Sequence, residues 1–237
     1  MSAFPVDAIL PDLAASLAAN RTAVLQAPPG TGKTTRVAPF LLDAAWLKGR
    51  KILLLEPRRL AARTAAAFMA RQRSERVGET IGYHIRLERR TGPHTRIELL
   101  TEGLLTQRLL HDPELSDTGL VIFDEFHERS LAVDTALALA LDTRRALRPD
   151  LRLVVMSATL RPEAIAAHLG DADIHTADTR LYPVETRLLD RHSTASIPQQ
   201  AAGAVLRALR EETGSVLLFL PGEGEIRRTL ELLRNAD

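Results

Sequence analysis

The sequence contains no cysteine, few aromatic residues and no strong excess of charge of either sign. The absence of cysteine excludes disulfide bonds and zinc sites built from thiolates. The N-terminus lacks the basic start and the long apolar run of a signal peptide, and no stretch reaches the ~18 unbroken apolar residues of a membrane helix. We therefore expect a cytoplasmic protein without a membrane segment, and no feature indicates an oligomer.

The charges nearly cancel, because 31 Lys and Arg residues face 30 Asp and Glu residues, for a formal net charge of +1. No overall field draws such a chain to nucleic acid, so any such contact must come from local placement of basic residues. All but three of the basic residues are arginine. Arginine pairs with phosphate through two hydrogen bonds, but genome composition is the simpler explanation of this bias.

Short apolar runs alternate with segments of helical spacing through most of the chain. This alternation is typical of buried strands separated by helices in parallel β-α-β units. We predict an α/β fold with a doubly wound, mainly parallel sheet. The predicted strands are Ala23–Gln26, Ile52–Leu55, Ile97–Leu100, Leu120–Phe123 and Leu153–Met156, and the predicted helices include Leu60–Arg71, Leu104–His111 and Leu131–Leu147.

Tyr83–Leu87 and Arg96–Leu100 flank a basic, turn-like stretch at Arg89–Pro93. Because glycine and proline follow the arginines, the pattern predicts two extended segments joined by a turn or loop.

A domain boundary is predicted near residues 177–182, so that the first domain covers residues 1–178 and the second covers residues 183–237. The second is predicted to contain about one and a half β-α units. Because so few strands cannot close a sheet, we expect this second domain to be incomplete. Its predicted elements are an extended run at Val184–Leu189, a helix at Ile197–Glu212, a buried strand at Val216–Leu220 and a helix at Glu223–Arg234.

The strongest local signal is a glycine-rich turn between a predicted strand and a helix, with the sequence APPGTGKTT at residues 27–35. This context identifies a P-loop, whose backbone amides surround the β- and γ-phosphates of a nucleotide. Lys33 neutralises phosphate charge, and the hydroxyl of Thr34 is placed to bind Mg²⁺. The predicted phosphate contacts are Gly30, Thr31, Gly32, Lys33, Thr34 and Thr35.

Two acids, Asp124 and Glu125, follow the predicted strand Leu120–Phe123. The carboxyl ends of parallel strands line the ligand crevice, so Asp124 is predicted to hold Mg²⁺ beside the P-loop, through water. Glu125, which points elsewhere, can polarise the attacking water. Since phosphoryl transfer depends mainly on positioning and charge neutralisation, these acids and Lys33 form a candidate catalytic set for nucleotide hydrolysis, given an added cation.

Several further motifs follow one another in a recognisable order. They are EPRRLAAR at residues 56–63, TEGLL at 101–105, DEFH at 124–127, SAT at 157–159 and LFLPG at 218–222. Together with the P-loop they resemble the motifs of DEAH-box superfamily 2 helicases, over nearly the whole chain. DEFH followed by Glu128–Leu131 is most similar to the bacterial HrpB branch.

The resemblance implies a RecA-like P-loop NTPase domain, the beginning of a second RecA-like domain, and an ATP-dependent helicase. RNA is favoured over DNA as its single-stranded partner. Phosphate-backbone contacts, which give affinity without reading sequence, are implied for Arg58, Arg59, Thr101, Glu102 and Gly103. A link between the γ-phosphate site and the second domain is implied for His127, which joins the catalytic set, and for Ser157 and Thr159.

The chain departs from the family at several points. Phe126 stands where DEAH has alanine, and Phe68 stands where relatives place an arginine that stacks on the base. Like the family, this chain has no adenine-reading glutamine motif before the P-loop. We expect ATP with Mg²⁺ as the ligand, and binding of other nucleoside triphosphates stays open.

The family's arginine-rich motif, which reaches the γ-phosphate from the second domain, is absent from these 237 residues. An arginine finger contributes about 10³–10⁵ in rate to related reactions. We therefore expect this chain to bind nucleotide, hydrolyse it weakly and not unwind a duplex. The alternative is a non-unwinding, nucleotide-dependent nucleic-acid clamp or switch. The acid pair followed by SAT disfavours a P-loop kinase.

Overall fold

The computed structural model of the chain describes residues 4–19, 21–158, 161–170, 172–177, 184–188 and 194–236. The chain divides into two compact units, Met1–Arg180 and Leu181–Asp237. All site residues predicted from the sequence belong to the first unit. The RecA-like character of the second unit stays a prediction.

A single sheet forms the centre of the first unit. Its strands, within the described residues, are β1 (Ala23–Gln26), β2 (Lys51–Leu55), β3 (Ile81–Ile85), β4 (Glu88–Arg90), β5 (Ile97–Leu100), β6 (Thr118–Phe123), β7 (Arg152–Ser157) and β8 (Asp173–Thr176). They are ordered β4-β3-β5-β2-β6-β7-β1-β8. All neighbours are parallel except β3 and β4. The predicted doubly wound, mainly parallel sheet is confirmed.

Helices cover both faces of this sheet. They are α1 (Leu10–Ala18), α2 (Lys33–Leu41), α3 (Arg59–Gln72), α4 (Glu102–His111), α5 (Leu131–Ala146) and α6 (Pro162–His168), with short 3-10 helices at Pro5–Ile9, Ala45–Leu47 and Phe126–Glu128. One apolar core lies between the sheet and α1, α2 and α3, and another lies between the sheet and α4, α5 and α6. Because the central strands are buried on both faces, they appear in the sequence as unbroken apolar runs.

The two edges of the sheet differ from the prediction. Arg89 and Arg90 lie in β4, which pairs with β3, and the chain turns at Arg86 and Leu87 instead. At the other edge, β8 pairs with β1 although no strand was predicted there. An edge strand has no need of an apolar run, because one side of it faces solvent and charged residues are favoured there.

The second unit contains two helices within its described residues, α7 (Ile197–Glu211) and α8 (Glu223–Arg234), which confirm the predicted pair. The predicted buried strand at Val216–Leu220 is wrong. Its residues form no strand, and the side chain of Phe219 is 84% exposed. An apolar run becomes a strand only where neighbouring backbone supplies hydrogen bonds. Residues 184–188 are exposed and irregular, and Leu189 lies outside the described residues.

The parallel strands bring the predicted site to one edge of the sheet. The P-loop follows β1, Glu56 follows β2, Thr101 follows β5, Asp124 follows β6, and Ser157 ends β7. Carboxyl ends of adjacent parallel strands share one edge, so segments far apart in sequence converge there. Within the described part of the chain, no helix is both long and apolar enough to span a membrane.

Candidate nucleotide-binding site

The P-loop connects β1 to α2, and Lys33 is the first residue of that helix. Gly30 and Gly32 have φ angles of 80° and 88°, in the left-handed region that glycine enters without strain. The side chain of Lys33 is almost fully buried, and its Nζ lies 2.7 Å from Oε1 of Glu125. The lysine ammonium and the catalytic candidate Glu125 therefore meet at the N-terminus of α2, which favours anionic ligands.

Asp124 lies beside the same helix end. Its Oδ2 accepts a hydrogen bond from the hydroxyl of Thr34, and its Oδ1 accepts one from the backbone N–H of Glu125 at 2.8 Å. Burial raises the pKa of Asp124 to about 6, and the charge of Glu125 adds to this, whereas Thr34 and Lys33 lower it. The P-loop and the two acids thus converge within hydrogen-bond distance.

The pair of Thr34 and Asp124 fits a magnesium ion. A hydroxyl oxygen and a carboxylate oxygen are hard ligands, and Mg²⁺ in nucleotide sites is held by one or two carboxylates with water and substrate phosphates. Because the two oxygens already face each other, a cation between them would replace their hydrogen bond.

Glu125 starts a tight turn. Its φ angle is 48°, in the left-handed region, and the 3-10 helix Phe126–Glu128 follows. His127 returns toward it, with Nε2 at 3.3 Å from Oε2 of Glu125. The backbone N–H of Ala158 donates to Nδ1 of His127 at 3.5 Å. With Nδ1 as acceptor, a neutral imidazole carries its proton on Nε2, the nitrogen that faces Glu125.

His127 connects Glu125 to the end of β7 through its contact with Ala158. Ser157 is buried at that strand end, and its carbonyl accepts a hydrogen bond from the backbone N–H of Ala27 at 3.0 Å. Thr159, the other predicted coupling residue, lies outside the described residues.

A cavity of about 670 Å³ opens beside these groups. This volume falls in the range of ~300–1,000 Å³ that small-molecule and cofactor sites occupy. Phe68, at the predicted base-stacking position, belongs to its wall. Other lining residues are Phe4, Pro29, Thr34, Thr35, Glu56, Arg58, Ala61, Thr64, Ala65, Glu125, His127 and Glu128.

Glu56 lines this cavity but was not predicted from the sequence as a site residue. It is only 3% exposed, and burial raises its pKa to about 7, with Asp124 adding to the effect. The backbone N–H of Arg58 donates to its Oε1 at 3.3 Å. One signal could have found it, because Glu56 directly follows an apolar strand, as Asp124 does.

The predicted nucleic-acid residues lie at the same edge of the sheet. Arg58 precedes α3, and its Nη2 lies 2.5 Å from Oε1 of Glu128. Arg58 and Arg59 also line a second hollow, of about 650 Å³, whose other basic residues are Arg63 and Arg86. Clustered arginines of this kind suit a phosphate backbone.

The three predicted nucleic-acid residues at the start of α4 have different surroundings. Thr101 precedes the helix, and Gly103 has open space where a Cβ would stand. Oε2 of Glu102, however, accepts a hydrogen bond from the hydroxyl of Ser130 at 2.7 Å. That contact ties α4 to the start of α5.

Comparison with known proteins decides the family. The family model described as DEAD/DEAH box helicase matches residues 10–167, the part of the chain that contains every site residue predicted from the sequence. This chain belongs to the DEAD/DEAH box helicase family.

This helicase-family chain is similar to parts of two longer proteins. It is 47% identical over 233 residues to the ATP-dependent RNA helicase HrpB of Escherichia coli (strain K12), covering 98% of this chain and 29% of HrpB. It is 35% identical over 216 residues to the ATP-dependent RNA helicase HrpA of Borreliella burgdorferi, covering 89% of this chain and 26% of HrpA. The chain therefore spans less than a third of these relatives.

Two solved structures have the same fold. The crystal structure described as Escherichia coli DEAH/RHA helicase HrpB matches with a TM-score of 0.90 at 46% identity, over 98% of this chain and 30% of that one. The structure described as E. coli DExH-box NTPase HrpB matches with a TM-score of 0.82 at 46% identity, over 99% of this chain and 29% of that one. The predicted RecA-like helicase fold and the DEAH-box resemblance are confirmed.

Proposed function

We propose that this helicase-family chain binds Mg-ATP and hydrolyses it as part of the motor of an ATP-dependent RNA helicase. The observation that carries the proposal is the convergence of Lys33, Thr34, Asp124 and Glu125 beside a cavity of nucleotide size. The two relatives, HrpB of Escherichia coli and HrpA of Borreliella burgdorferi, are both ATP-dependent RNA helicases, which supports the proposal.

In this proposal the backbone amides of residues 30–35 and the ammonium of Lys33 hold the β- and γ-phosphates. Thr34 and Asp124 hold Mg²⁺, which neutralises phosphate charge when it is bound. Lys33 is paired with Glu125, so an entering phosphate competes with that carboxylate for the ammonium. Glu125 keeps its contact with Nε2 of His127 and orients water toward the γ-phosphorus.

The nucleic-acid side of the proposal rests on the arginines next to this cavity. Arg58 and Arg59, with Thr101 and Gly103, contact the phosphate backbone of one strand, and RNA is favoured over DNA. His127 links Glu125, at the γ-phosphate site, to the end of β7 through the hydrogen bond from Ala158. Ser157 and Thr159 extend this link to the second domain.

Hydrolysis by the 237 residues alone is proposed to be weak, with no unwinding. The described residues around Glu125 contribute one buried cation, Lys33, to the phosphate end of the cavity. The transition state needs a further cation, which the family resemblance assigns to the second domain.

Glu125→Gln tests the proposal. The amide cannot polarise water, so we expect ATP turnover to fall at least about 100-fold, a typical contribution of a general base. ATP affinity should stay equal or rise, because Lys33 loses its competing carboxylate. Turnover is measured by phosphate release and affinity by calorimetry, with Mg²⁺ present.

Glu163→Gln, an exposed substitution on α6, is the matched control and should change neither quantity. A nucleotide-dependent clamp or switch makes no use of a water-activating carboxylate. Wild-type turnover in Glu125→Gln would therefore reject the motor and favour that alternative.

A further inference from the structure

Phe4, just before the first 3-10 helix, packs against the P-loop. A Cβ added at Gly32 would lie 2.8 Å from Cδ1 of the Phe4 ring, so the ring rests directly on the α-carbon of this glycine. The guanidinium of Arg36, from the first turn of α2, lies 5.7 Å from the ring centroid. An aromatic side chain remote in sequence thus borders the phosphate-binding turn.

A network of hydrogen bonds fixes this ring in place. Asp7 accepts the backbone N–H of Phe4 at 3.0 Å and both Nε and Nη2 of Arg36, at 2.8 and 3.3 Å. The backbone N–H of Val6 donates to the carbonyl of Thr31 at 3.3 Å. Charge-assisted, two-pronged pairing of this kind adds geometric definition. Phe4 is therefore positioned before any ligand arrives.

The same ring lines the cavity that contains Thr34 and Glu125. On the α3 side, the wall consists of Ala61, Thr64, Ala65 and Phe68. If the proposed nucleotide places its phosphates on the P-loop, the rest of this space is available for its base. Much of the surface that the base would meet is aromatic or aliphatic, and Phe4 is the ring adjoining the phosphate turn.

We propose that Phe4 is a base-contacting residue of the nucleotide site, which stacks on the base and favours purine over pyrimidine nucleotides. The inference rests on the proposed nucleotide function. Stacking of a base on an aromatic side chain favours binding and tolerates any base, because each has a π face. A purine offers the larger face, so its affinity gains more from the same ring.

Calorimetric titrations of the 237-residue chain with ATP, CTP and inorganic tripolyphosphate, each with Mg²⁺, test this assignment. Tripolyphosphate can occupy the P-loop but has no base. Phe4→Ala removes the ring, and Phe4→Leu keeps apolar packing on Gly32 without an aromatic face. Phe40→Leu, an exposed phenylalanine on α2 outside the cavity wall, is the matched control.

We expect Phe4→Ala and Phe4→Leu to weaken ATP binding about tenfold and to reduce the ratio of ATP to CTP affinity. Tripolyphosphate affinity should stay within about twofold of wild type, and Phe40→Leu should change none of the affinities. Unchanged ATP binding in both Phe4 variants would overturn the proposal. So would an equal loss of ATP and tripolyphosphate affinity, because Phe4 would then only support the P-loop. If wild type binds neither ligand, the proposed function fails, and the role of Phe4 fails with it.

Discussion

Glu56 and Asp124 are two buried carboxyl groups beside the nucleotide cavity, and burial acts on both in the same direction. It raises the pKa of Glu56 to about 7 and that of Asp124 to about 6, because the charged forms lose hydration. The folded protein therefore holds these protons more tightly than the unfolded chain. Between the ordinary pKa of a glutamate, 4.5, and about 7, the free energy of unfolding falls as the pH rises.

Glu56→Gln should remove part of this pH dependence. Above pH 7 the wild type holds an ionised, buried carboxylate, whereas the amide is neutral. We expect the variant to be more stable by on the order of 1–3 kcal/mol at pH 8 and about equally stable near pH 4.5. Thermal unfolding without nucleotide, measured from pH 4.5 to 8, checks this, with exposed Glu163→Gln as control. Parallel pH profiles for wild type and Glu56→Gln would contradict it.

Site residues were predictable from the sequence where the motif is local. Lys33 and Thr34 belong to one turn, and Asp124 and Glu125 directly follow one strand. Each pair can therefore be recognised in the sequence without knowledge of the fold. Phe4 was not predictable, because its contact with Gly32 depends on how the N-terminal segment folds back on the P-loop.

At the scale of elements, the beginning of α3 meets the turn after β6 through one ion pair. Arg58 also lines the arginine-rich hollow, so it borders both the nucleotide cavity and the proposed strand interface. Glu128 and a nucleic-acid phosphate would compete for this guanidinium. Nucleic-acid binding should therefore draw Arg58 away from the turn that contains His127.

Glu128→Gln should release Arg58 to the strand and tighten single-stranded RNA binding, by about threefold at low salt if the pair contributes the ~0.2–1 kcal/mol of an exposed salt bridge. Arg58→Ala should weaken binding and reduce the salt slope by about 0.7, the value for one phosphate contact on a single strand. Fluorescence anisotropy of labelled RNA at several salt concentrations measures both.

Arg145→Ala is the control for that experiment, because Arg145 is exposed near the C-terminal end of α5. A helix that follows a parallel strand ends near the opposite edge of the sheet. If Arg58→Ala behaves like Arg145→Ala, Arg58 does not contact the strand.

Elements were predictable where burial on both faces shaped the sequence. Ile52–Leu55 and Leu120–Phe123 are central and apolar, and both are strands. The charged β4 and the half-polar β8 escaped prediction because they lie at the edges. Val216–Leu220 has the right composition but no strand partner among the described residues, since composition cannot supply hydrogen-bonding neighbours.

At the scale of the whole molecule, the described catalytic groups all belong to the first unit, Met1–Arg180. Nucleotide binding can therefore be complete within one unit, whereas the proposed function assigns the further cation for rapid turnover to the second domain. Binding and hydrolysis should then respond differently to the addition of that domain.

A longer chain that supplies the remainder of the second domain should hydrolyse ATP at least about 10³-fold faster in the presence of single-stranded RNA. The two chains should bind ATP with similar affinity. Phosphate release with and without RNA measures the difference. Robust RNA-stimulated turnover by the 237-residue chain would contradict the prediction.

Glu125 occupies a left-handed backbone conformation that costs a residue with a Cβ atom roughly 1–2 kcal/mol. Glycine at that position would relieve the cost and remove the carboxylate at the same time. The same change would leave the buried ammonium of Lys33 without its carboxylate partner, a loss of about 3–5 kcal/mol that outweighs the backbone strain. Directed evolution for heat resistance alone should therefore retain Glu125 together with its strained backbone.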